Sequence, residues 1–438
     1  MTSSASSPAT GALTTRAAPW AWRDPAVRMR NADAIAAMVG AALPWSTSAT
    51  GIFMTLWLIA LVPTVDWRAL VRSLLRPASA LPLAFLALAM VGMLWSDSAW
   101  SERLHGVNPV GKLAAIPLLL YHFERSRRGL WVLVAFAVSC ALLLALSWLV
   151  LFVPQLKIVP TISPGVPVKN YIDQSQEFTL CMFALLAPAL TLTRARRYLP
   201  AACCVALILA FFANMMFVVS ARTALVYMPV LVVLFGLVHL RARAMAALLA
   251  LALLCGTAVW FTSPVLRDRV DAIATEYQAY RDSNAGTSTG ERLEFWRKSL
   301  KFVAAAPLFG NGTGSTKALF VQDAVGKSGV SAEVIGNPHN QTLNVAVQWG
   351  LLGCVVLYTM WISHLLLFRP AGIATTLAGW IGLVVVVQNI VSSLLNSHLF
   401  DFHEGWMYVL GVGAAGGMAL RQRAAAPPGA TDAKDISR

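Results

Sequence analysis

The chain has 438 residues, of which 58% are hydrophobic and only 12% charged, and its formal net charge is +14. An ordinary soluble domain is about a quarter charged, so this composition excludes one and predicts an all-α polytopic membrane protein. The surplus of Lys and Arg invites a nucleic-acid reading, which the placement of those residues argues against.

Residues 1–31 form a Ser/Ala-rich segment holding Arg16, Arg23, Arg28 and Arg30. No compact apolar core precedes a small-residue cleavage site, so the segment reads as a cytoplasmic tail and not a cleavable leader. About twelve apolar segments follow, at roughly 32–46, 48–64, 79–95, 108–122, 129–153, 176–193, 199–219, 222–240 and 243–262, then 339–367, 371–395 and 403–420. Nine membrane helices are thus expected within 32–262 and three within 339–420. Residues 263–338 separate the two groups as one long external loop domain, and 421–438 reads as a disordered tail.

Alternate connections are basic. They carry Arg68, Arg72 and Arg76; Arg125, Arg127 and Arg128; Arg194, Arg196 and Arg197; Arg241 and Arg243; Arg369; and Arg421 and Arg423. The positive-inside rule then places both termini in the cytoplasm and the long loop on the far side. Much of the net charge is topological. All six cysteines (Cys140, Cys181, Cys203, Cys204, Cys255, Cys354) fall in apolar segments without C-x-x-C spacing, which predicts small core residues, neither disulfides nor ligands.

The long loop opens with the amphipathic "SPVLRDRVDAIATEYQAYRD", a helix pattern, followed by a flexible "SNAGTSTG". A second helix, "ERLEFWRKSLKFVAAAP", leads into "LFGNGTGS". Arg292 and Trp296 stand four apart on one face of that helix, and a guanidinium suits bidentate contact with phosphate. "GNGTG" lacks the spacing of a phosphate loop and reads only as a turn.

"NPHNQTLNVAVQWGLLG" at 337–353 starts a membrane helix with unusual polarity. Asn337 suits the cap and Pro338 the first turn. His339 then sits at a helix mouth, a place that favours anions, and its imidazole suits a general base. Gln341, Asn344 and Gln348 form a polar stripe that either faces a cavity or joins neighbouring helices. Arg222 in "SARTALVY" and Lys112 in "NPVGKLAA" lie at outer ends of apolar segments, where they either serve a site or extend to the interface. In "HLFDFHEG", His398, Asp401, His403 and Glu404 fit no zinc spacing and read as a helix-anchoring loop, although Asp401 can orient a catalytic group. The sequence has no nucleotide-binding Walker motif, no D-x-D pair and no H-E-x-x-H.

"SART", "RLEFW", "APLFGNGTG" and "PHNQTLNVAVQWGLLG", spread over roughly 200–367, together resemble the O-antigen ligase and polymerase superfamily. The layout, with one large loop between segments nine and ten, is similar to the O-antigen ligases of Gram-negative bacteria. This resemblance implies a membrane-embedded C-type glycosyltransferase of the inner membrane with a periplasmic site. It implies transfer of O-antigen from undecaprenyl diphosphate to the lipid A–core oligosaccharide, without metal or other cofactor and without nucleic acid. His339 maps onto the family's histidine base, and Arg222 and Arg292 onto its essential arginines. Lys112 joins them as a third cation, and Asn340, Gln341, Trp296 and Asp401 are supporting candidates. The rival readings are an O-antigen polymerase, a protein O-oligosaccharyltransferase and, from another class, an anionic-solute transporter.

Overall fold

The computed structural model describes residues 24–219, 221–369 and 371–425, so most of both expected tails and Ser220 of "SART" lie outside the described residues. Among the described residues the chain is helical and has no strand. In order the helices are α1 (Pro25–Ala42), α2 (Thr47–Leu61), α3 (Trp67–Leu74), α4 (Pro77–Val91), α5 (Trp100–Gly111), α6 (Ala115–Arg125), α7 (Leu130–Phe152), α8 (Tyr171–Arg194), α9 (Tyr198–Phe217), α10 (Arg222–His239) and α11 (Ala242–Thr262). The loop domain supplies α12 (Pro264–Ser283), α13 (Ser288–Ala305) and α14 (Ser315–Ala324). The chain then returns through α15 (Gln341–Phe368), α16 (Ala371–Ala374), α17 (Leu377–Ser392) and α18 (Phe402–Ala425).

Eight spans are long and apolar enough to cross a membrane: α2 and α4, each continued by a 3-10 turn to Thr64 and Trp95, and α7, α8, α9, α10, α11 and α15. The other four predicted segments appear as α1, α6, α17 and α18, which are shorter or more polar. The α1 sequence carries Arg28, Arg30 and Asp33, α17 has only 16 residues, and α18 carries Glu404, Arg421 and Arg423. The segment expected at 108–122 is divided, because α5 ends at Gly111 and a 3-10 turn over Lys112–Ala114 precedes α6.

Three basic connections meet at one end of the bundle. There Arg76 forms a two-pronged bridge to Glu124 at 2.6 and 2.9 Å, Arg128 approaches Asp33 at 3.4 Å, Arg125 approaches Asp66 at 3.8 Å, and Arg421 donates to the Ser126 carbonyl at 2.9 Å. Crossing back from that end, α6 lies along α18 so closely that a Cβ on Gly413 would meet Leu119 at 2.4 Å and one on Gly417 would meet Phe123 at 2.6 Å. Small residues of this kind let membrane helices approach where burial gives little driving force. The predicted core role of the cysteines holds for Cys140 and Cys181 but not for Cys203 and Cys255, which face outward on α9 and α11. An apolar side chain needs no protein partner where the surroundings are lipid.

The loop domain sits at the opposite end on its own small core of Phe295, Phe302, Phe320 and Val330, closed by Val347 of α15. Its attachment depends on a break in α15. Gly350 has φ +59° and ψ −151°, a region that only glycine occupies without strain, so α15 is two helices end to end. The break frees the carbonyls of Val347 and Gln348 and the N–H groups of Leu351 and Leu352. The predicted turn "PLFGNG" pairs all four. Asn311 and Gly312 donate to Val347 and Gln348 at 2.9 and 2.8 Å, while Leu351 and Leu352 donate to Pro307 and Leu308 at 2.8 and 3.1 Å. Backbone irregularity at membrane depth requires such internal partners.

Candidate active site

The outer half of α15 begins later than the sequence suggests. Its cap is Asn340, whose Oδ1 accepts the Leu343 N–H at 3.0 Å, and the helix starts at Gln341. Asn337 does another job: its Oδ1 accepts the His339 N–H at 3.0 Å and the Ser397 hydroxyl at 2.6 Å. This side-chain turn holds His339 at φ +53°, a conformation uncommon outside glycine.

The His339 ring is oriented from below. Nδ1 lies 2.7 Å from Asn396 Oδ1, which also accepts the Ser397 N–H at 3.1 Å. An amide oxygen can only accept, so the ring proton is on Nδ1 and the Nε2 lone pair is left open. Among the described residues Nε2 has no hydrogen-bond partner. From above, Phe295 stacks on the ring at 6.3 Å between centroids, and Trp296 Nε1 donates to the His339 carbonyl at 3.4 Å. Both come from α13, which also carries Arg292 one turn earlier. A single helix therefore fixes the histidine and the guanidinium relative to each other.

Arg292 and Arg222 line one cavity of about 70 Å³ with Tyr171, Arg269 and Glu276. Arg222 is paired on both prongs with Glu276 at 2.6 and 2.8 Å, and its Nε donates to the Arg269 carbonyl at 3.1 Å. These contacts hold the Glu276 carboxyl down at about 2, the Arg222 hydrogen bonds being the main cause. Arg292 is half-buried and makes no hydrogen bond or ion pair among the described residues. Burial lowers its guanidinium from the usual arginine range, which starts so high that the charge is kept.

Lys112 does not line this cavity. Its ammonium donates to the carbonyls of Phe400 at 2.9 Å and Asp401 at 2.5 Å, tying the α5–α6 break to the loop before α18. Asp401 lines a second, larger cavity of about 640 Å³, shared with His105, Asn337, Asn344 and Gln348. Burial pushes the Asp401 carboxyl up. The polar stripe of α15 serves both of its expected ends. Asn344 and Gln348 line this cavity while Gln348 Oε1 accepts the Gly314 N–H at 2.8 Å. Gln341 is fully buried, and its side-chain oxygen and nitrogen are unpaired among the described residues. Asn340 Nδ2 donates to the Leu394 carbonyl at 2.8 Å.

In "HLFDFHEG", His403 approaches Asp173 of α8 at 2.8 Å and His398 lies between Asn396 and Gln176 at 3.0 and 3.1 Å. Burial drives the His398 ring down to about 3, so it is a neutral structural link. The loop anchors helices, as its residue types suggest. Among the described residues no three His, Cys, Asp or Glu side chains converge as a metal-binding group. Sequence reasoning missed Asn396, Phe295, Arg269 and Glu276. The available signal was the amphipathic pattern of α12, which places Arg269 and Glu276 two turns apart on one face.

What this arrangement can do is take a proton at His339 Nε2 and stabilise an anion at the arginine cavity. A family model described as O-antigen ligase matches residues 205–358, a stretch that begins in α9, spans the loop domain and ends in the inner half of α15. No curated protein matches the chain in sequence. The match covers Arg222, Arg292 and His339 together, and supports an O-antigen ligase family assignment for that stretch.

Proposed function

We propose that the protein transfers O-antigen polysaccharide from undecaprenyl diphosphate to the lipid A–core oligosaccharide on the periplasmic face of the inner membrane. The observation that carries this reading is the oriented His339, with Nδ1 spent on Asn396 and Nε2 open, on the same rigid support as the unpaired Arg292. The alternation of basic connections supports a periplasmic site and cytoplasmic termini.

An acceptor hydroxyl gives its proton to His339 Nε2 as its oxygen attacks the anomeric carbon of the donor's first sugar. The bond from that carbon to the diphosphate oxygen breaks with its electron pair. The diphosphate leaves into the cavity lined by Arg222 and Arg292, where uncancelled positive charge is worth most as the negative charge develops. Attack opposite the leaving group inverts the anomeric centre. Fixed guanidinium groups supply the positive charge, so the reaction needs no metal ion. The larger cavity beside Asn344 and Asp401 offers the polar surface that an incoming core oligosaccharide requires.

Deleting the gene tests the assignment. The expected result is lipopolysaccharide that stops at the core, with lipid-linked polymer accumulating. Lipopolysaccharide bearing a single repeat would instead identify a polymerase, and unchanged lipopolysaccharide would sink both. With purified protein, transfer should persist in EDTA; its loss there would overturn the metal-free step.

A further inference from the structure

We propose that Arg269 of α12 is a second guanidinium that grips the donor diphosphate beside Arg292, while Arg222 is a post held by Glu276. This rests on the transfer reaction proposed above and divides labour within its anion cavity.

The division follows from counting donors. A guanidinium has five N–H groups. Arg222 uses Nε on the Arg269 carbonyl at 3.1 Å, Nη1 on Glu276 Oε2 at 2.8 Å and Thr289 Oγ1 at 3.3 Å, and Nη2 on Glu276 Oε1 at 2.6 Å. One N–H remains, and the carboxylate cancels the charge. Glu276 is itself fully engaged, because its Oε2 also accepts the Thr289 N–H at 3.0 Å and hydroxyl at 2.5 Å. This closed knot joins α10, α12 and the start of α13. It is a support, poorly placed to receive a ligand.

Two cations in the same cavity are free of such ties. Arg292 has no hydrogen bond or ion pair among the described residues. The Arg269 guanidinium also has none among the described residues, and its carbon sits over the Tyr171 ring, 5.0 Å from the ring centre. The cation–π contact restrains the group while leaving its N–H groups without a protein acceptor among the described residues, so they are available for phosphate contact. With Arg222 and Glu276 cancelling, the cavity keeps two positive charges from Arg269 and Arg292. A prenyl-sugar diphosphate carries two negative ones. The cavity of about 70 Å³ has room for several waters, which a diphosphate would displace.

The test uses the full-length protein in nanodiscs and measures binding of undecaprenyl diphosphate and undecaprenyl monophosphate, with thermal unfolding as the control. Arg269→Ala keeps the backbone carbonyl on which Arg222 rests, so its unfolding midpoint should stay near wild type. Its affinity for the diphosphate should fall about 10- to 100-fold, the range for one lost charge-assisted pair. Affinity for the monophosphate should fall less, and Arg269→Lys should recover part of the loss. Arg222→Ala should chiefly lower the unfolding midpoint. The proposal is overturned if Arg269→Ala binds the diphosphate like wild type while Arg292→Ala does not. It is also overturned if Arg222→Ala loses binding at an unchanged midpoint, which would make Arg222 the gripping group. A wild-type protein that binds neither lipid would bring down the proposed reaction as well.

Discussion

The two halves of α15 are one helix in the sequence and two different materials in the structure. Outside Gly350, residues 341–349 are almost wholly buried, carry Gln341, Asn344 and Gln348, and are joined to the loop domain through backbone hydrogen bonds. Inside it, Leu351, Val355 and Ile362 are exposed and suited only to lipid. The outer half is held by specific partners nearly all round, whereas the inner half buries one face, where His364 meets Tyr408 at 2.6 Å and the Ala78 carbonyl at 3.0 Å, and turns the other to lipid. That difference separates the part of the molecule that must keep a geometry from the part that must only stay in the membrane.

Mutation can break the comparison at its joint. Gly350→Val places a branched side chain at φ +59° and within 2.5 Å of the Leu308 backbone, where any Cβ collides. Conformational strain and overpacking together should cost more than ~3 kcal/mol, seen as a large fall in the unfolding midpoint in detergent and loss of transfer. Thr313→Val strikes the seam one layer away. Its hydroxyl donates to the Ala89 carbonyl at 2.6 Å and accepts Trp349 Nε1 at 2.8 Å, and all three are buried. Leaving those groups unpaired should cost about 2 kcal/mol.

Acid sharpens the contrast further. The Glu276 carboxyl sits at about 2 in the fold, against about 4.5 for a free glutamate. A depressed carboxyl stabilises the fold fully above the free value and loses that contribution as pH falls through the bound one. The loop domain should therefore loosen between about pH 4.5 and pH 2, read by hydrogen exchange at α12, and Glu276→Gln should flatten that part of the profile. The smallest effect belongs to the inner half. Leu351→Ala on its exposed face should shift stability by no more than about 0.5 kcal/mol.

Most of the layout was legible because it depends on local pattern. Apolar runs marked the eight spans long and apolar enough to cross a membrane, the 3.6-residue spacing marked α12 and α13, and Arg clusters marked three connections that share an end. The break in α15 was not legible, since a single glycine inside an apolar run is common and its partners lie some 40 residues earlier in "PLFGNG". The helix start was misread because Asn337 and Asn340 are equally good caps; which one wins depends on Ser397 and Leu394, both distant in sequence. His339 could be picked out by type and place, and Arg292 by its helix face. Asn396, which decides which ring nitrogen is free, is 57 residues away and left no mark in the local pattern.

The central claim is that His339 Nε2 takes the acceptor's proton from a position that Asn396 and α13 fix in advance. The direct measurement is single-turnover transfer by purified protein from undecaprenyl diphosphate-linked O-antigen to core lipopolysaccharide, with wild type compared against His339→Ala. Transfer should fall about 10²- to 10⁴-fold while donor affinity and the unfolding midpoint stay unchanged. A His339→Ala protein that transfers at the wild-type rate would contradict the account.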